Sequence, residues 1–510
     1  MSLEEKLRFL EKKREQLEQG DKEAIENQHA QRKLTARERV SRLLDSGSFQ
    51  ELDLFHGPLK TGFDIDTSPS GGDGVIVGYG LSQGRAVSVW SQDATVLDGT
   101  VGTVHARKIN MIMENALNSR TPIIAILDSA GLRPEDVVQY PEFYSTSTMA
   151  KFQTIASGVL PKISLVMGPC GGDLALVAGL GDFLFMVKNS SHMHLMPPPP
   201  GILSQDIGDP WAVHAKLTGC CDVIAENDED CLDKCRKLLS FLPSNNNEPP
   251  PLAESKDDPD RREERLLEII PADISKTYDM YELISLVVDN GELFEIKRHF
   301  AHNLITGFAR LNGRSVGIIA NNPRDRAGCM TLDAADKMSR FVRFCDAFNI
   351  PCIWFMDTPA FLPAVEEESR GLIRHGSRMI MANSEATVPQ ITLAIRKGYG
   401  GGRLAMPGQG LMGDITVAWP TFEPGMMAAE GAVNILYHKE LEAITDKAER
   451  CKRWEEHVSE MRQGQDNATL EAAQVFIDPR DTRPFLIKAL EWLKNRKQER
   501  PPRKHENFRM

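Results

Sequence analysis

Apolar and polar positions along the chain alternate between strand-like and helix-like periods. The run Leu160-Pro161-Lys162-Ile163-Ser164-Leu165-Val166 has the length and content of a buried strand. It runs into the glycine turn Met167-Gly168-Pro169-Cys170-Gly171-Gly172-Asp173, after which residues 174–180 read as the first turns of an Ala-rich helix. Strand, glycine turn and helix start leave backbone N–H groups unpaired and aimed outward. Such groups hold a phosphate or a developing oxyanion. Upstream, Val75-Ile76-Val77-Gly78-Tyr79-Gly80 and Arg85-Ala86-Val87-Ser88-Val89-Trp90 alternate as strands joined by Leu81-Ser82-Gln83-Gly84, a hairpin signal. Residues 99–117 predict a helix carrying His105 and Lys108, and Ile123-Ile124-Ala125-Ile126-Leu127 predicts a strand ending in Asp128-Ser129-Ala130-Gly131. Strands alternating with helices predict an α/β fold with βαβ-like layering. Residues 3–45 read as mostly helix, a sparse Leu3, Leu7, Leu10 stripe among Glu and Lys. That is the pattern of a solvated or partner-facing arm.

The same pattern then recurs. Gly78-Tyr79 with Gly84-Arg85-Ala86-Val87 is echoed by Gly307-Phe308 with Gly313-Arg314-Ser315-Val316, 229 residues on. Pro122-Ile123 through Asp128-Ser129 is echoed by Pro351-Cys352 through Asp357-Thr358 at the same 229. Pro161 is matched by Pro389 at 228, and the glycine turn by Gly398-Tyr399-Gly400-Gly401-Gly402, pairing Gly172 with Gly401 at 229. Matches in order at one offset mean duplicated domains rather than a solenoid. Leu242-Pro243-Ser244-Asn245-Asn246-Asn247-Glu248-Pro249-Pro250-Pro251 and the charged run to Arg262 read as a linker. The predicted domains are residues 1–255 and 256–510.

Composition narrows the function. At 510 residues the chain exceeds one ordinary core. Its 41% apolar and 26% charged residues are those of a soluble globular protein. A net charge of −12 with no basic stripe argues against nucleic acid as a partner. No stretch has the ~18–20 apolar residues of a membrane span, and the N-terminus lacks signal or transit features. A cytoplasmic protein is the expectation, and the nine cysteines, mostly in apolar surroundings, fit a reducing compartment. Cys220-Cys221 and Cys231 with Cys235 lack a matching pair or His cluster, so no metal site is expected.

Two sets of backbone donors suit a reaction in which two carbonyl oxygens acquire negative charge, because aligned amides need no reorganisation and lose no proton. No G-x-S-x-G, H-E-x-x-H, P-loop or dinucleotide fingerprint occurs. Asp128 and Asp357 end equivalent strands. Their neighbours Ser129 and Thr358 favour helix-capping turns over a catalytic carboxylate pair. His192 and His194 share one strand face, and His375 follows Arg374; a structural role is the expectation for each.

Lys33-Leu34-Thr35-Ala36-Arg37-Glu38-Arg39, followed by Leu43-Leu44-Asp45-Ser46-Gly47-Ser48-Phe49, resembles the opening of the biotin-dependent acyl-CoA carboxyltransferase family. This is the family of the propionyl-CoA carboxylase β subunit and the methylmalonyl-CoA and glutaconyl-CoA decarboxylase α subunits. The resemblance runs through Gly71-Gly72-Asp73-Gly74, Ser91-Gln92-Asp93-Ala94-Thr95, His105-Ala106-Arg107-Lys108 and Met167-Gly168-Pro169-Cys170. It resumes at Ile373-Arg374-His375-Gly376, Arg396-Lys397-Gly398-Tyr399-Gly400-Gly401 and Ala418-Trp419-Pro420-Thr421, closing at Ile477-Asp478-Pro479-Arg480. It implies two duplicated crotonase-like (ClpP/crotonase) domains of ββα units, the first on the acyl-CoA side and the second on the biotin side. It implies carboxyl transfer between N1 of biotin and the α-carbon of an acyl-CoA through an enolate. The oxyanion holes fall on Gly172 and Asp173 and on Gly401 and Gly402. Substrate-binding positions are Ala130, Gly131, Leu132, Arg133, Gly171 and Leu404. With no Met-Lys-Met biotinylation site in the chain, biotin is implied on a separate carrier protein. A biotin carboxylase or membrane decarboxylase subunit and a homohexamer are implied alongside it, and no metal.

Four departures concern the acyl group. Asp128-Ser129-Ala130-Gly131-Leu132-Arg133 stands where the family commonly has Asp-Ser-Gly-Gly-Ala-Arg, and Asp173 where it has a second Gly. Gly400-Gly401-Gly402-Arg403-Leu404 loses an Asp associated with acyl selection, and Met196-Pro197-Pro198-Pro199-Pro200-Gly201-Ile202 replaces a Thr-rich loop. The competing readings are a biotin-independent crotonase-type hydratase or hydrolase using Asp173, and a non-catalytic assembly subunit.

Overall fold

The structure is a computed structural model that describes residues 1–60, 62–63, 72–140, 146–196, 210–273, 276–411, 413–505 and 507. The chain divides into two compact units, Met1–Pro249 and Pro250–Met510. Within the described residues no helix is long and apolar enough to cross a membrane.

The first unit is built on a seven-stranded sheet in the order β1 (Gln50–Leu52), β2 (Val75–Ser82), β3 (Arg85–Gln92), β4 (Ile123–Leu127), β5 (Lys162–Val166), β7 (Phe183–Val187), β9 (Val223–Ala225). The first three strands are antiparallel and the rest parallel. A separate parallel pair, β6 (Pro169–Gly171) with β8 (His192–His194), stands beyond the end of β5. Strands β4, β5 and β7 are buried throughout, which is why they read as continuous apolar runs rather than alternating ones. One apolar core joins the sheet to the helix Thr103–Ser119, through Val77, Trp90, Ile109, Ile112 and Leu127.

The second unit repeats the plan: β10 (Phe294–Ile296), β11 (Leu304–Leu311), β12 (Arg314–Asn321), β13 (Cys352–Thr358), β14 (Gln390–Tyr399), β15 (Ile415–Ala418) and β17 (Val475–Phe476), with β16 (Glu423–Gly425) on the far end of β14. Its core gathers Ile318, Phe355, Leu393 and Trp419. The sequence echoes now have a physical cause. A Cβ on Gly78 would lie 2.2 Å from the Gln50 carbonyl, and one on Gly307 2.6 Å from that of Phe294, so each hairpin must pass a short edge strand at backbone contact. Isolated bridges Val101–Leu132 and Met330–Phe361 repeat at 229. So do two buried lysines. Lys108 donates to the Gly72 and Val75 carbonyls at 3.0 Å each. Lys337 donates to those of Lys297, Phe300 and Leu304 at 2.7–2.9 Å. Burial pushes Lys108 down to about 8 and Lys337 to about 7.

Three expectations change. The helix expected from residue 99 begins at Thr103, because Gly99 holds φ +61 in a tight turn packed against the Asp128 carbonyl. The linker has no helix or strand up to the 3₁₀ turn Glu264–Leu267, yet it is pinned. Asn245 donates to the Arg120 carbonyl at 3.2 Å, and Ala253 N–H to that of Gly313 at 3.0 Å. The N-terminal arm forms helices Leu3–Gln19, Lys22–Ala30 and Ala36–Leu43; the first two are largely exposed, but the third buries Arg39 completely.

Candidate functional site

The glycine turn of the first unit links β6 to the helix Asp173–Gly179. Gly172 holds φ +64, ψ −139, a conformation reserved for glycine, and no atom lies within 4 Å of where its Cβ would stand. Its N–H, expected to face an anion, instead donates to the His194 carbonyl at 3.0 Å, because β8 runs alongside the turn. The amides without an acceptor among the described residues are those of Asp173 and Leu174, the first two of the helix. The Asp173 side chain is exposed and accepts a hydrogen bond from Thr146 Oγ1 at 2.8 Å, so it does not cap its own helix. The His194 ring lies against Gly171, where a Cβ would meet Nε2 at 2.9 Å.

The second turn joins β14 to the helix Gly400–Ala405. Strands β5 and β14 start 228 residues apart, and that spacing carries into the turn, where Gly400 (φ +45) takes the place of Gly172. Asp173 therefore corresponds to Gly401 and Leu174 to Gly402, one residue from the pairing read off the sequence. A cleft of about 400 Å³ opens here, lined by Lys397, Tyr399, Gly400, Gly401, Met426 and Met427 among others. Gly401 is exposed, and its N–H has no acceptor among the described residues. Gly402 does not line the cleft. It is buried behind Gly401, so tightly that a Cβ would lie 2.9 Å from Ala360 N. The Tyr399 hydroxyl donates to Glu423 at 2.6 Å, and burial with that carboxylate pushes its ionisation up.

The strand-end carboxylates are held in buried ion pairs. Asp128 is fully buried, 2.7 Å from Lys33 Nζ and 2.8 Å from Arg39 Nη1, while Arg39 Nε reaches Asp228 at 2.8 Å. Asp357 is held by Arg396 Nε at 3.1 Å and the Lys397 N–H at 3.0 Å; burial raises its ionisation and Arg396 opposes the rise. The side chains of Gln92 and Asn321 take the N–H of Asp128 and Asp357, at 3.1 Å in both units. Gly168, at the place of Arg396, is glycine because Asp128 fills its side-chain space. Ser129 and Thr358 hydroxyls donate to carbonyls two residues on, bracing the chain that leaves each strand.

Among the expected substrate-binding positions, Ala130 and Leu132 are exposed and Gly131 is half-buried at φ +115. Leu404 is exposed on the helix after the second turn. Arg133 is turned inward. It is buried, bonded to Asp73 at 2.5 Å and to the Thr100 carbonyl at 2.8 Å. The bridge between Val101 and Leu132 turns Leu132 outward and Arg133 in. Residues 197–202 of the proline loop, and Gly71, lie outside the described residues. Burial pushes the Cys170 thiol up to about 12 and the His105 imidazole down to about 3. His375 bonds Asp336 at 2.7 Å, a structural pairing. Sequence reasoning missed Thr146, His194 and Lys397 as neighbours of the turns. Lys397 alone carried a signal, since it sits three residues before Gly400 at a strand end.

Residues 27–508 match the carboxyl transferase domain family. Methylmalonyl-CoA decarboxylase subunit alpha of Veillonella parvula is 41% identical over 515 residues, covering 99% of each chain. The carboxyltransferase subunit of propionyl-CoA carboxylase from Haloferax mediterranei is 40% identical over 520 residues, covering 100% of each. Among solved structures, transcarboxylase 12S, described as a hexamer assembly with methylmalonyl-coenzyme A bound, has a TM-score of 0.93 at 37% identity. That match covers 100% of this chain and 99% of the other.

Proposed function

The chain belongs to the carboxyl transferase family, and we propose that it moves a carboxyl group between biotin N1 and the α-carbon of an acyl-CoA. Its fold is that of a crotonase-like carboxyltransferase, and its activity is acyl-CoA carboxyl transfer. The observation that carries the finer reading is the repeated turn: in each unit a helix opens with amides that lack an acceptor among the described residues.

Residues 1–255 take the acyl-CoA. The amide of the exposed Asp173, presented by Gly172, receives the thioester oxygen as the α-carbon becomes an enolate; a donor of this kind contributes about 2.7–4 kcal/mol. Ala130, Gly131, Leu132 and Gly171 border that position. Residues 256–510 take biotin, a co-substrate delivered on a separate carrier protein. Its ureido group carries the carboxyl and, once freed of it, supplies the base for the α-proton. The 400 Å³ cleft falls in the range of small-molecule sites, and the Gly401 amide within it is the donor a ureido oxygen requires. No side-chain acid or nucleophile is called for. Asp128 and Asp357 are committed to buried cations, and Cys170 stays protonated. A homohexamer with a biotin carboxylase or a membrane decarboxylase subunit completes the assembly.

The test is product analysis with the full chain and a panel of acyl-CoAs and carboxyacyl-CoAs, with and without free biotin. Biotin-dependent turnover supports the reading. Turnover without biotin that Asp173→Asn abolishes overturns it in favour of a hydratase or hydrolase.

A further inference from the structure

The two turns serve as controls for each other. At the 228-residue spacing, Pro169 corresponds to Lys397, Gly172 to Gly400 and Asp173 to Gly401. Related turns therefore carry opposite charge at different positions: the Asp173 carboxylate on the first, where the second has Gly401, and the Lys397 ammonium on the second, where the first has Pro169. The difference is local, since the surrounding clamps, bridges and strand-end carboxylates are shared by both units.

Lys397 is half-buried on the wall of the second cleft, its backbone fixed by the Asp357 carboxylate at 3.0 Å. Its Nζ has no hydrogen bond or ion pair among the described residues. The other charged group on the wall, Glu430, is paired with Arg462. Glu423, behind Tyr399, accepts that residue's hydroxyl. Among the described residues the ammonium is thus an uncommitted charge on the cleft wall, which it shares with the neutral Gly401 amide. A ligand satisfying both groups carries one neutral carbonyl oxygen and one anion a few ångströms away.

This deepens the function proposed above and rests on it. A free ureido ring offers only the carbonyl oxygen, whereas an N-carboxylated ring offers the oxygen and the carboxylate together. We infer that Lys397 binds the N-carboxylate and makes the second cleft prefer the carboxylated ring to the free one. Loss of CO2 moves the negative charge from the carboxylate onto the ureido group. A cation held at the carboxylate therefore retains the carboxyl group until the acceptor is in place.

The experiment is a ligand-observed NMR titration of the full chain with 2-imidazolidinone and with (2-oxoimidazolidin-1-yl)acetate, which is the same ring bearing a stable carboxylate. The wild type should bind the carboxylate at least about tenfold more tightly, the effect of one partly screened charge pair. Lys397→Met should bind the two rings equally, and Lys397→Arg should keep the preference. Circular dichroism melting confirms that each variant is folded, and Lys397→Gln replaces Lys397→Met if the latter is not. A preference that survives Lys397→Met and Lys397→Gln, or is absent from the wild type, overturns the role of Lys397 alone. A wild type that binds neither ring overturns the assignment of the cleft to biotin.

Discussion

Replacing Arg39 by Met tests the support beneath the first turn. Arg39 is completely buried and joins three parts of the unit: Asp128 at the end of β4, Asp228 at the start of the helix Asp228–Phe241, and the Met167 carbonyl at 3.3 Å beside the glycine turn. With Arg39 gone, Asp128 keeps Lys33 and the Gln28 amide at 3.2 Å, but Asp228 keeps only the Leu34 N–H at 3.0 Å. Removing one partner of a buried pair costs about 3–5 kcal/mol. With a urea slope near 3 kcal/mol/M for a unit of this size, the midpoint should fall by roughly 1–2 M. The loss should depend on pH in a defined sense. Burial already holds the Asp228 carboxyl above its ordinary value, and Arg39 is the main influence opposing that rise. Without Arg39 the folded value climbs further. A carboxyl raised in the folded state favours folding below its unfolded value and loses that contribution as pH rises through the folded one. The penalty should therefore be larger at pH 8 than at pH 5. Asp228→Asn added to Arg39→Met should recover a substantial part of it at pH 8 only. Urea unfolding of the full chain, followed by tryptophan fluorescence, measures all three proteins. A shift at pH 8 below about 0.3 M, or equal shifts at both pH values, would refute the buried-network account.

Two further outcomes are expected. Thr146→Val should free the Asp173 carboxylate to turn back onto the amides of its own helix, lowering kcat/KM by up to about 100-fold. Asp173→Gly in the same protein should restore the rate, and steady-state kinetics showing Thr146→Val equal to wild type would count against the tether. Lys337 lies near 7, well below a free lysine, so the folded state refuses a proton that the unfolded state binds. Stability should rise from pH 7 towards 10 in the wild type, with a shallower rise in Lys337→Met; parallel urea midpoints across that range would contradict it.

The duplication was legible because each echo marks a contact that tolerates little else. Gly78 and Gly307 pass an edge strand without room for a Cβ, and Asp128 and Asp357 receive a Gln or Asn side chain at their N–H. The glycine turns were legible for the same reason, but their alignment slipped by one residue. Three consecutive glycines at 400–402 leave the register open, and only the left-handed φ of Gly400 fixes it. Asp128 misled because its cations come from Lys33 and Arg39, some 90 residues away, where local context shows only a capping-type neighbour. Arg133 looked like a ligand contact for a related reason: its partner Asp73 is 60 residues upstream, and nothing near residue 133 announces it. Thr146 and His194 reach the first turn only through tertiary packing, so no local pattern could name them.

The most direct measurement is the fate of the carboxyl group. The purified chain is incubated with methylmalonyl-CoA labelled with ¹³C in its free carboxyl and with biotin, and both products are followed by mass spectrometry. The label should leave the thioester and appear on biotin, with unlabelled propionyl-CoA formed in equal amount, and there should be no exchange when biotin is omitted. Release of free CoA, or propionyl-CoA formed at the same rate without biotin, would contradict carboxyl transfer between the two sites.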